Sequence, residues 1–117
     1  MAKKKSPRTQ RKGPQSCLKS GDLTLDLERR CASKGGGDPV RLTPKECALL
    51  TAFMRNGGEV LSREFLMKEV WDTDYLGDTR TLDVHICWLR RKIEKDPRRP
   101  IYLRTVRGVG YRFEVPE

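Results

Sequence analysis

The 117-residue sequence predicts an α+β fold, and three observations carry that expectation. Apolar side chains recur at helical spacing in three segments beyond residue 42, short runs broken by turn residues precede them, and a glycine-tipped hairpin pattern comes last. The last helical segment is the most informative. Leu82, Ile86, Leu89 and Ile93 recur at i, i+4, i+7 and i+11, so at about 100° per residue they stack into one narrow stripe that must be buried. The opposite face is fixed by the same arithmetic: it carries Arg80, Thr81, Val84, Cys87, Trp88, Arg91 and Lys95, with His85 and Lys92 on its flank.

Cations spaced along a helix with small, β-branched and aromatic side chains between them suit a DNA major groove, where cations meet phosphates and guanine and apolar groups meet thymine methyls. A basic amphipathic helix is often only a solvated one. The segment after the helix separates the two readings. Asp96-Pro97 stops the helix, and Tyr102–Arg107 and Tyr111–Val115 read as two strands around Gly108-Val109-Gly110. Tyr111, Phe113 and Val115 alternate with Arg112 and Glu114, so one face of the hairpin packs on a core and the other meets solvent or ligand. Paired glycines allow positive φ and a close approach to another backbone, as a tip lying along a DNA minor groove requires, and Arg107 beside them finds enhanced negative potential there. A tight turn alone explains the glycines but not the basic flank.

The remaining elements are signposted in order. Cys17-Leu18-Lys19, Leu23–Leu27, Arg30-Cys31-Ala32 and Val40-Arg41-Leu42 are short runs separated by Ser20-Gly21-Asp22 and Gly35–Pro39, the spacing of a small antiparallel meander with Leu23, Leu25 and Leu27 on its apolar face. Thr43-Pro44-Lys45-Glu46 is a capping box with proline at the first helical position; Leu49, Leu50, Phe53 and Met54 form that helix's apolar face before Gly57-Gly58 ends it. A second helix starts at Ser62, flanked by Leu61 and Leu66 as a hydrophobic staple, and Phe65, Leu66 and Val70 are expected to supply its buried face. Between its end near Trp71 and the basic helix, Asp72–Asp78 places acids in a basic domain, with Asp78 expected to cap the basic helix.

Bulk properties narrow the function classes. A net charge of +9 and a pI near 9.7 favour an anionic partner. No apolar run reaches the length of a membrane span, so a soluble, cytoplasmic protein with no membrane partner is expected. Cys17, Cys31, Cys47 and Cys87 are widely spaced, without a C-x-x-C pair and with one histidine, so no metal or other cofactor is expected and the thiols should be free. Residues 1–16 hold Lys3, Lys4, Lys5, Arg8, Arg11 and Lys12 and no acid, six of the nine net charges; they read as a basic tail or interdomain linker ahead of a single domain over 17–117.

Several separated motifs together resemble the effector domain of OmpR/PhoB-type response regulators. They are Leu42-Thr43-Pro44-Lys45-Glu46; Val60-Leu61-Ser62-Arg63-Glu64 with Val70-Trp71; Arg80–Ile86 with Leu89-Arg90-Arg91-Lys92; and Thr105–Phe113. The resemblance implies a winged helix-turn-helix, with a three-helix core, an amino-terminal four-stranded sheet and a carboxy-terminal hairpin wing. It also implies a bacterial two-component transcription factor whose receiver domain would precede this chain, the basic tail being the remnant of the linker.

Position by position, the resemblance makes Arg80 a phosphate contact at the start of the recognition helix and puts Val84 and His85 on its groove side. Thr105 and Arg107 match the wing, and Trp71 a backbone-contacting tryptophan. Cys87 and Trp88 depart from the pattern, standing where some relatives carry base-reading arginines, so Trp88 is expected to offer an apolar contact to a thymine methyl or sugar. The implied partners are double-stranded DNA with directly repeated half-sites, bound by a head-to-tail pair of domains that are monomers in isolation, and RNA polymerase, touched by Asp72, Asp74, Tyr75 and Leu76. The alternative is a protein-interaction module that uses the amino-terminal sheet and the acidic loop. An enzyme is not expected, because a lone His85 on a groove-facing helix, with no carboxylate pair or nucleophile motif, offers nothing to catalyse with.

Overall fold

The computed structural model describes residues 17–72 and 80–114. Four short strands open it: β1 (Cys17–Ser20), β2 (Leu23–Asp26), β3 (Cys31–Lys34) and β4 (Val40–Arg41) form an antiparallel meander in that order. Leu23 and Leu25 alternate inward and are fully buried, with Ala32 beside them, so the meander closes one side of the helical core. Leu27 packs at its margin.

Helix α1 (Pro44–Arg55) begins with the expected capping box: Thr43 Oγ1 accepts from the Glu46 amide at 3.2 Å, and Glu46 Oε1 accepts from the Thr43 amide at 2.8 Å. Helix α2 (Arg63–Trp71) starts under Ser62, whose hydroxyl accepts from the Phe65 amide at 3.0 Å. It ends at Asp72, in the left-handed region with φ 54°, while its side chain lies 3.4 Å from Lys68. Asp72 thus has a structural position that its sequence context did not reveal. The buried face of α2 is Leu66, Met67 and Val70; Phe65 is 40% exposed, contrary to expectation. Leu66 and Val70 are one turn apart, and Phe65, preceding them, is rotated out of their stripe.

Helix α3 (Arg80–Ile93) buries Leu82, Ile86, Leu89 and Ile93 completely, as the period requires. It ends before Asp96-Pro97, leaving Lys95 off the helix. The Glu94 amide still donates to the Arg90 carbonyl at 2.9 Å, but its carboxylate is taken up by the returning chain. The expected Asp78 cap, and Val115, lie outside the described residues.

The hairpin is β6 (Leu103–Val106) and β7 (Gly110–Phe113), and it acquires a third strand that patterning missed: β5 (Val60–Ser62) pairs with β7, giving the antiparallel order β5-β7-β6. The two glycines differ in their work. Gly108 turns the tip with φ +78°, whereas Gly110 is needed for close approach to the protein's own backbone, since a Cβ there would collide with the Leu61 carbonyl and the Ser62 Cα. Tyr111 and Phe113 face the core, and Arg112 and Glu114 the other side.

A candidate nucleic-acid interface on the third helix and the hairpin

Helix α3 offers one open face. Val84, Cys87, Trp88 and Arg91 are exposed in succession along it, and Arg80 is exposed at its first position. Trp88 is 43% exposed and, with Val84, puts apolar surface in the middle of this face. Arg107 at the hairpin tip is exposed beside Gly108, and neither it nor Arg91 forms an ion pair among the described residues. Asp74, Tyr75 and Leu76 lie outside the described residues.

The flank of α3 towards the hairpin is tied to it by polar contacts. Arg63, at the start of α2, makes a two-pronged bond to Asp83 at 2.8 and 2.9 Å, and the Tyr111 hydroxyl donates to the same carboxylate at 2.6 Å. The Arg63 guanidinium, followed by the Tyr111 hydroxyl, holds the Asp83 carboxyl below the usual carboxylate range. Burial, then the bond to Asp83, pushes the Tyr111 hydroxyl up to about 12. Further along the helix, Arg90 donates from Nε and a terminal nitrogen to the Leu103 carbonyl at 3.1 and 2.9 Å and to Thr105 Oγ1 at 2.9 Å, with its guanidinium over the Tyr111 ring. Thr105 is therefore exposed but already engaged.

A further turn on, buried Glu94 accepts from the Ile101, Tyr102 and Leu103 amides at 2.8 to 3.3 Å. Arg90 and Glu94 thus grip the carbonyl and the amide of Leu103 together. None of Arg63, Asp83, Arg90, Glu94 or Tyr111 stood out as a site residue in the sequence. A charge placed beside the apolar stripe rather than opposite it was the one available signal.

The other flank is aromatic. Half-buried Trp71, at the end of α2, meets the His85 ring edge-on at 5.1 Å, and the Trp88 ring lies 5.0 Å from His85 at a tilt of 59°. His85 Nδ1 is 2.7 Å from the Thr81 carbonyl, which engages half-buried Thr81 through its backbone. Lys45 from α1 donates to the Val70 carbonyl at 3.0 Å and sits over the Trp71 ring. Lys92 turns inward to Glu46 at 2.6 Å, so it is a core contact rather than a groove contact. Burial pushes the Glu46 carboxyl up, but Lys92 and the Thr43 cap outweigh it and hold that carboxyl below the usual range.

All four cysteines are free thiols; Cys47 is buried in α1, where burial pushes its thiol up, and Cys87 is exposed on α3. No helix among the described residues is long and apolar enough to cross a membrane.

A helix pair, α2 and α3, continued by a β-hairpin bound to the second helix defines the winged helix-turn-helix class. The comparisons with known proteins agree. Residues 37–113 match the family model described as transcriptional regulatory protein, C terminal. The sensory transduction protein RegX3 of Mycobacterium tuberculosis is 52% identical over 97 residues, covering 83% of this chain and 42% of that protein. The alkaline phosphatase synthesis transcriptional regulatory protein PhoP of Bacillus subtilis is 50% identical over 78 residues, 67% of this chain and 32% of its own length. Among solved structures, the Klebsiella pneumoniae RstA DNA-binding domain in complex with RstA box superposes with a TM-score of 0.76 at 30% identity, covering 86% of this chain and 98% of that one. The DNA-binding domain of CpxR from Escherichia coli gives 0.73 at 32% identity, with coverage of 86% and 98%.

The chain belongs to the family of C-terminal domains of transcriptional regulatory proteins, whose work is transcription regulation through DNA binding and not a catalysed reaction. It spans 42% or less of the length of the RegX3 and PhoP relatives just named.

Proposed function

We propose that this chain is the effector domain of a two-component response regulator and reads double-stranded DNA with α3 in the major groove and the β6–β7 wing in the adjacent minor groove. The observation that carries this reading is the rigid coupling of two exposed basic elements: the open face with Arg80, Val84, Cys87, Trp88 and Arg91, and the Arg107 tip, tied together by Arg90 and Glu94. Arg80 and Arg91 meet phosphates, Val84, Cys87 and Trp88 face the base edges, and Arg107 enters the minor groove with Thr105 beside it. Trp71 and Thr81 border the backbone-facing edge, next to His85.

Residues 1–16 serve as the linker from a receiver domain, with 17–117 as the DNA-binding unit. Two domains bind head to tail on directly repeated half-sites about one helical turn, roughly 10–11 bp, apart. The segment with Asp72, Asp74, Tyr75 and Leu76 is repelled by phosphate and is left to touch RNA polymerase. The whole process belongs in the cytoplasm.

The deciding experiment is selection of binding duplexes from a random pool, then fluorescence anisotropy with the wild-type chain and Arg107→Ala. Removing the wing cation should cost on the order of 1–3 kcal/mol of binding, mostly on A/T-rich flanks, with unchanged helical content. An unchanged dissociation constant would remove the wing from the mechanism, and failure to enrich any duplex would remove sequence-specific reading altogether.

A further inference from the structure

His85 is the single histidine of the chain. Its Nδ1 lies 2.7 Å from the Thr81 carbonyl oxygen, which can only accept, so Nδ1 carries a hydrogen in every protonation state that keeps this bond. The neutral ring therefore has a bare lone pair on Nε2, and only the imidazolium can donate from that atom. Among the described residues the ring makes no other hydrogen bond, and Nε2 is not fully enclosed. His85 sits on the edge of the exposed face of α3 towards α2, not at its centre, where Val84 and Trp88 project. A helix lying in a major groove turns its centre to base edges and its edges to the phosphate strands.

From this geometry we infer that His85 contacts a DNA phosphate as an imidazolium, donating from Nε2, so that DNA binding takes up a proton. The inference rests on the DNA-binding reading above and adds a titrating contact to it. A phosphate oxygen accepts and cannot donate, so it pairs with the protonated ring and leaves the neutral Nδ1-H tautomer unmatched.

The surroundings are compatible with a cation. Trp71 and Trp88 present rings on two sides, and among the described residues no carboxylate bonds the imidazole. The charged groups on the packed elements are Lys45, Glu46 and Arg55 on α1, Arg63, Glu64, Lys68 and Glu69 on α2 with Asp72 at its end, and Arg80, Asp83, Arg90, Arg91 and Lys92 on α3; Glu46, Asp72 and Asp83 are already paired, with Lys92, Lys68 and Arg63. Cations outnumber acids there, so the proton is favoured by the incoming phosphate rather than by the free protein, which is what coupling requires.

Linkage fixes the sign. If the complex holds the proton more tightly than the free chain, affinity rises as pH falls through the window in which imidazole titrates and levels off below it. The probe is a fluorescein-labelled duplex of random sequence, about 30 base pairs and so roughly three helical turns long, since a phosphate contact needs no particular base. With the full chain, binding should tighten about tenfold between about pH 8 and about pH 6, a coupling of ordinary size. The slope of log affinity against log salt should steepen by about 0.9 over the same range, as one more phosphate is neutralised. Calorimetry in two buffers of different ionisation enthalpy should register proton uptake, and the nitrogen shifts of the one histidine should report Nε2 protonation on DNA addition in the wild-type chain. His85→Gln, checked for a native thermal transition, should abolish the uptake and flatten the pH dependence.

Binding that is independent of pH, or a variant that keeps the wild-type dependence, would overturn the inference. Binding that weakens on acidification would overturn it too, and would make the neutral Nε2 an acceptor for an adenine or cytosine amino group. Absence of binding at every pH would instead overturn the DNA-binding reading and the proton coupling with it.

Discussion

The two flanks of α3 are held in opposite ways. Towards the wing, Asp83, Arg90 and Glu94 make directional bonds to Arg63, Tyr111, Leu103, Thr105 and the amides of residues 101 to 103. Towards the end of α2, away from the Arg63–Asp83 bond at its start, the contact is the Trp71 ring against His85, whose own ring is backed within α3 by Trp88 and by the Thr81 carbonyl on Nδ1. Directional bonds fix distance and angle, whereas ring contacts of this kind tolerate several geometries at similar energy. On the proposed reading of two grooves, the helix-to-wing geometry is the quantity that has to be set before binding, because both elements must reach their grooves at once. On the same proposal, the aromatic side is left able to adjust to a phosphate strand.

The largest expected effect breaks the polar flank. Glu94→Ala leaves three amides without their acceptor, two of them on the buried residues Tyr102 and Leu103. An orphaned buried donor costs about 1–3 kcal/mol, so the loss should be about 3–5 kcal/mol. In a domain of this size that lowers the melting temperature by roughly 15–30 °C, read by thermal unfolding. A fall of only a few degrees would mean that the loop finds other partners and that Glu94 does not hold the wing.

A smaller effect tests the Asp83 hub. Because Arg63 and Tyr111 hold the Asp83 carboxyl below its ordinary range, its contribution is fully present above the unfolded-state value and disappears as pH falls through the depressed folded one. Asp83→Asn should cost about 1–2 kcal/mol at neutral pH and make urea stability less sensitive to acid below about pH 4. Glu46, shifted the same way, keeps part of the acid sensitivity in the variant. The Tyr111 hydroxyl, pushed up to about 12, acts in the other direction: its contribution is present below the unfolded phenol value and lost as pH rises through the folded one. An acid limb unchanged by Asp83→Asn would place the sensitivity elsewhere.

The legibility of the two flanks in the sequence differs for a physical reason. The α3 stripe, the Thr43 box and the Ser62 cap depend on neighbours within about one to three turns, and all are as read. The α+β class and the winged architecture are likewise as read, and the comparisons agree with them. Strand β5 was invisible because three residues between a helix end and a cap have no period of their own; they become a strand only by pairing with residues about fifty positions later. Arg63 and Asp83 are twenty residues apart, and Asp83 and Tyr111 twenty-eight. Such partners are set by topology, not by local pattern. Phe65 was misread for a related reason: an apolar side chain was assigned to the buried face by type, although Leu66, Met67 and Val70 already fill it.

The smallest effect on stability, and the sharpest on selectivity, belongs to Trp88. Its ring is 43% exposed and lies against His85, so Trp88→Ala should change folding stability by no more than about 0.5 kcal/mol. On DNA the same change separates two roles. A ring that meets a thymine methyl contributes only where that thymine stands, so the variant should lose affinity for a selected duplex while binding a random duplex nearly as well as the wild type. Replacing the contacted thymine by uracil removes one methyl and should reproduce the loss with the wild-type chain. A ring that serves only to hold His85 against a phosphate would weaken both duplexes equally and be indifferent to uracil. That outcome would assign the whole aromatic flank to backbone contact and leave base reading to Val84 and Cys87.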